Sequence, residues 1–137
     1  MSTSPYGRTS GTDERESRPL MEPLMAFRLP AELERLREED AWRDGDRNSR
    51  TLAKDVDFRL LLTVLRSGAT LDEEDGDARG SVQLLEGRAV LRLPGTEAQL
   101  GAGELAVIDA GQPWQLSAES DCALLLTLAW PREKAQI

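Results

Sequence analysis

Among the 137 residues of this chain there is no histidine. The side chain that most often serves as general base or metal ligand near neutral pH is therefore missing. Chemistry has to come from carboxylates, one thiol and a few aromatic rings. The carboxylates are densest in the run Asp72-Glu73-Glu74-Asp75-Gly76-Asp77. A run of like charge is ordinarily a solvated loop. Asp75, Asp77 and Glu86 also fall on ligand positions of the EF-hand calcium loop, and Gly80 on its glycine, but Arg79 stands where an oxygen ligand belongs. The flanks read as strands rather than helices, which argues against that pattern. The single thiol, Cys122, lies on the apolar run Cys122 to Ala129. A catalytic thiolate needs a histidine or another cation beside it to lower its pKa. Without one, Cys122 reads as a small buried hydrophobe.

Short elements must position these groups. From Ser81 to Ala118 brief apolar runs alternate with turn signals: Leu84-Leu85, Glu86-Gly87, Ala89-Val90-Leu91, Pro94-Gly95, Leu100, Gly101-Ala102-Gly103, Leu105 to Ile108, and Ala110-Gly111-Gln112-Pro113. Each run is too short for a helix, and the pattern predicts an antiparallel sandwich or small barrel. Pro94-Gly95 fits a type II turn, with proline setting φ at its first corner and glycine supplying φ > 0 at the second. Thr51 to Lys54 and Asp57 to Arg66 read as strands. In the second, Phe58, Leu60, Leu62 and Val64 form one face while Leu61, Thr63 and Leu65 form most of the other. A strand apolar on both faces needs cover on both sides.

Upstream, Leu29, Leu33 and Leu36 recur at helical spacing among Glu32, Glu34, Arg35, Arg37 and Glu38, with Pro30 placed for a first helical turn. One amphipathic helix is expected from Ala31 to Trp42, ending before Gly45. Its narrow apolar stripe places it on the outside of the barrel. Residues 1–22 are rich in polar residues, glycine and arginine and read as a disordered tail. The expected organisation is that tail, a helical segment over 23–50, a barrel over 51–131 and a short C-terminal tail over 132–137.

The glycine spacing resembles the two sequence motifs of the cupin superfamily. Gly68 and Gly87 stand at the separation of the first motif's end glycines, and Gly103 and Gly111 on the two glycines of the second. The resemblance covers about Thr51 to Trp130. It implies an all-β fold, a cupin-like jelly-roll barrel with one short N-terminal α-helix. It also assigns the family's four metal-ligand positions to Glu74, Gly76, Gly80 and Trp114. Asp109 and Ala118 replace the second motif's proline and asparagine. In this register Glu74 lies at the barrel mouth and points into the pocket. There it binds a cationic group, or acts as a base if burial raises its pKa. Trp114 takes the place of the last histidine, either plugging the space of the lost metal or forming a stacking wall for a small ligand.

A net charge of −8 repels phosphate backbones and argues against a nucleic-acid partner. No apolar run is long enough to span a membrane. One cysteine and no apolar leader suit a cytoplasmic protein. The expected function is a non-catalytic, metal-free, cofactor-free cupin-like protein that binds a small molecule, or serves as a regulatory or structural module, as a homodimer. The alternative is a metal-independent isomerase or lyase with Glu74 as general base and Trp114 shaping the pocket.

Overall fold

Short alternating runs from Arg47 onward form the sheets of this computed structural model, which describes residues 22–73 and 77–131. The strands are β1 Arg47–Asp55, β2 Phe58–Leu65, β3 Thr70–Glu73, β4 Arg79–Glu86, β5 Arg88–Leu93, β6 Thr96–Gly101, β7 Leu105–Ile108, β8 Trp114–Ala118 and β9 Cys122–Ala129. They make two antiparallel sheets, ordered β1-β2-β9-β4-β7 and β3-β8-β5-β6. The turns β1–β2, β5–β6 and β7–β8, the end of β3, the start of β4 and the exit of β9 all lie at one end, called here the mouth.

The inward faces of both sheets share one apolar cluster. It contains Leu65, Val82, Leu84, Leu91, Leu116 and Leu124, among others. A second cluster lies on the outer face of the larger sheet. There Leu62 and Val64 of β2 and Ala123 of β9 pack against Leu33, Leu36 and Trp42. Both faces of β2 are thus covered within one chain. Helices cover the outer face.

Those helices are α1, Leu29–Glu38, and α2, Asp40–Asp44. A single helix from Ala31 to Trp42 was expected, but Glu39 breaks it with extended backbone (φ −85°, ψ 154°). Its carboxylate accepts hydrogen bonds from Asn48 Nδ2 and Arg50 Nη2, each at 2.9 Å. The break lets Glu39 reach β1 and turns Trp42 down onto the sheet. Arg66 closes over Trp42, with its guanidinium 3.8 Å from the ring centre and Nη2 donating to the Trp42 carbonyl. Glu32 is 1% exposed and faces Arg50 Nε at 3.7 Å, so the helix is tied to the barrel wall by charge as well as by leucines.

Two boundaries differ from expectation. β1 begins at Arg47 rather than Thr51, because the polar stretch Arg47-Asn48-Ser49-Arg50 pairs along β2 as an edge strand. Asp72 and Glu73 belong to β3 rather than to a loop, paired with Gln115 and Trp114. Gly80, Val82 and Glu86 lie in β4, which rules out a calcium loop there.

The four motif glycines all have positive φ: 92° at Gly68, 90° at Gly87, 89° at Gly103 and 86° at Gly111. Gly87 is the most constrained. A Cβ there would collide with the Asp121 carbonyl oxygen and sit 3.0 Å from Ser120 Oγ. At the expected type II turn, Gly95 also has positive φ, 83°.

Candidate functional site at the barrel mouth

Trp114 opens β8 at the mouth. Its ring belongs to the inner cluster and is 6% exposed. Gly80 lies opposite, on the inner face of β4. A Cβ at Gly80 would be 3.4 Å from Leu128 Cδ2, so Leu128 already occupies the space in front of it. Glu74 and Gly76 lie outside the described residues, and so does the expected inward aim of the Glu74 carboxylate.

Arg59 is the mouth residue that the sequence reading passed over. Alternation along β2 puts it on the inward side with Leu61 and Leu65, both in the inner cluster. It is paired in register with Leu128 and Lys54. The Trp130 backbone N–H donates to the Asp57 carbonyl at 3.0 Å, which carries the β2–β9 ladder one step past Ala129. Trp130 therefore stands diagonally across from Arg59 on the same face, a position from which long side chains meet. The Arg59 guanidinium lies 5.1 Å from the Trp130 ring centre. Its Nε is buried and has no hydrogen-bond partner. The available signal was the lone charge in the inward set Arg59, Leu61, Thr63, Leu65, which is otherwise uncharged.

At the rim, Arg79 donates from Nε and Nη2 to Asp109 Oδ1 at 3.1 and 2.9 Å. These bonds, and the Ala110 N–H, hold the Asp109 carboxyl below the usual range. The pair fastens the start of β4 to the loop between β7 and β8. At the far end of the barrel, Cys122 is fully buried, and its thiol is within hydrogen-bond reach of the Arg88 and Ser120 carbonyls at 3.0 and 3.1 Å. Burial pushes its pKa up, the opposite of what a nucleophilic thiolate needs. An open depression of about 490 Å³ beside the β5–β6 turn, lined by Arg92, Leu93, Gly95, Thr96 and Glu97, is a surface feature separate from the barrel interior.

Residues 59–136 match the AraC-binding-like domain family, which is more than half of the chain. The chain belongs to the AraC-binding-like family of the cupin superfamily. Solved structures agree on the fold. A conserved protein of unknown function from Streptococcus pyogenes superposes with a TM-score of 0.63 at 21% identity, over 82% of this chain and 92% of that one. A cupin described as RmlC-like, from Shewanella frigidimarina, gives 0.58 at 15% identity, over 66% and 82%. Salicylate 1,2-dioxygenase from Pseudoaminobacter salicylatoxidans, in its adducts with gentisate, gives 0.69 at 21% identity. That match covers 84% of this chain but only 36% of the dioxygenase. Comparison with curated protein sequences gives no match.

Many cupins hold a metal at the positions that carry Glu74, Gly76, Gly80 and Trp114 in this AraC-binding-like chain. Glycine at position 80 offers no side-chain donor, and Leu128 fills the adjacent space. The Trp114 indole N–H donates but has no lone pair free to coordinate. Among the described residues no three carboxylate or thiol groups converge on a common point. The donors present at these positions do not fit a transition-metal centre, which takes three or four imidazole, thiolate or carboxylate ligands.

Proposed function

We propose that this AraC-binding-like chain is a non-catalytic, metal-free barrel that binds a small organic molecule at its mouth, with Trp114 as the apolar floor of the site. The observation that carries the proposal is the position of Trp114: an indole ring on the inner wall, in the register of the last motif-two ligand. A flat apolar surface beside a few polar groups is the usual make-up of a ligand pocket. Native mass spectrometry of the purified full-length protein tests the reading. A co-purifying small molecule that leaves on denaturation supports it. A stoichiometric metal in elemental analysis contradicts it.

The working unit in this proposal is a homodimer. With the outer face of β2 covered by α1 and α2, the supporting observation is on β7. Leu105 and Val107 are 58% and 70% exposed on the outward side of this edge strand. An apolar, unprotected edge invites pairing with another strand. Light scattering at micromolar concentration is expected to give twice the chain mass, and Val107→Lys to give a monomer. A monomeric wild type removes this part of the proposal and leaves ligand binding untouched.

A further inference from the structure

We infer that the ligand of this barrel carries a carboxylate, and that Arg59 is the residue that receives it; the inference rests on the reading of the mouth as a small-molecule site. A guanidinium stays charged at every physiological pH and cannot escape burial by losing its proton. Placing one on an inner barrel face therefore calls for an acceptor. Arg37, Arg50, Arg66, Arg79 and Arg92 each have a carboxylate within 4 Å. Arg59 has none among the described residues, and its buried Nε donates to nothing. What it does have is Trp130, with the guanidinium carbon over the ring 5.1 Å from its centre, while the buried Nε–H has no acceptor. In-plane N–H groups are the ones that pair with a carboxylate, two parallel bonds at a time. Near this end the inner wall also carries Trp114, Leu128, Ile108 and Leu61, all apolar, with Glu73 in register beside Trp114 and Lys54 in register beside Arg59. A cationic fork beside an apolar floor selects a molecule with an acid at one end and a ring or aliphatic body at the other, and the Glu73 carboxylate turns that acid toward the Arg59 side of the mouth. The neighbouring rim cation, Arg79, is already engaged by Asp109, so a ligand acid would be drawn to Arg59.

The test is isothermal titration of the full-length protein with two matched pairs of probes: benzoate against benzamide, and cyclohexanecarboxylate against its amide. The acids are expected to bind at least about tenfold tighter than the amides, the scale of a charge-assisted pair of hydrogen bonds. Arg59→Met should bring the acids down to the amides and leave the amides within about twofold. Arg59→Lys, which keeps the charge but loses the fork, should fall between the two. If acids and amides bind alike, and equally well to Arg59→Met, the carboxylate inference is overturned while the small-molecule reading stands. If neither series binds, both are overturned. Thermal melts of the ligand-free variants separate a structural role. Arg59→Met should melt close to wild type, because it removes an Nε–H donor that has no acceptor and gives up only the contact with the Trp130 ring. A lower melting temperature that disappears in a Glu74→Gln or Asp75→Asn background would mean that the chain's own acids satisfy Arg59, and would overturn the inference.

Discussion

Replacing Trp114 by alanine tests both the register and the packing of the barrel. The ring is 6% exposed and lies in the inner cluster. A buried tryptophan removes about 150–250 Å² from water. At about 25 cal/mol per Å² that is roughly 4–6 kcal/mol for the whole side chain. Alanine retains a small part of it and relaxation of the walls recovers some more, which brings the expected loss to about 3–5 kcal/mol. Urea unfolding reads this directly. With a slope of about 1–3 kcal/mol per molar, the midpoint should fall by more than 1 M while the slope stays constant. Trp114→Phe keeps most of the volume and should cost well under half as much. The native emission should be blue-shifted, since both Trp42 and Trp114 are buried. An unchanged midpoint in Trp114→Ala would place the ring in solvent, and the motif register from which its role was argued would fail with it.

Gly87→Ala should destabilise by more than about 1–3 kcal/mol, the usual cost of an unfavourable backbone region alone, because its Cβ also meets the Asp121 carbonyl; a near-neutral melt would contradict the turn geometry. Cys122 should react with a disulfide reagent only as fast as the protein unfolds. Burial raises its pKa, so the protonated thiol contributes stability below the ordinary thiol value near pH 8.5, and that contribution is lost as pH rises through the folded pKa. Cys122→Ala should lack that alkaline component, and an equal pH dependence in the variant would refute the assignment. Zinc, nickel, iron(II) or manganese should leave the melting temperature unchanged, whereas a real site at a hundredfold excess over its Kd would add about 2.7 kcal/mol.

The parts of the fold visible in the sequence are those where local pattern and tertiary structure agree. Both alternating sets of β2 and β9 are apolar, and both are covered. The motif glycines stand where positive φ is needed. β1 was less visible, because an edge strand needs no apolar alternation and Arg47 to Arg50 look like a loop until paired. The break at Glu39 was invisible in helix periodicity, since its cause is a pair of hydrogen bonds to a strand that comes later in the chain. The candidate site was half legible. Trp114 followed from motif spacing. Arg59 did not, because its meaning depends on Trp130, which lies seventy-one positions away in sequence and meets it only through the β2–β9 register.

What the family profile recognises is smaller than what folds. The match begins at residue 59, one residue into β2. Yet β2 and β9 form a party wall, with the barrel on one side and the helices on the other. A fragment trimmed to the recognised boundary would keep the inner room and demolish the outer one. Leu62, Val64 and Ala123, none of them measurably exposed in the full chain, would become an outside surface, and β2 would become a naked edge. Such a fragment would be expected to aggregate for reasons unrelated to ligand binding. Domain grafts or sensor fusions built on this barrel need to start upstream of Phe27.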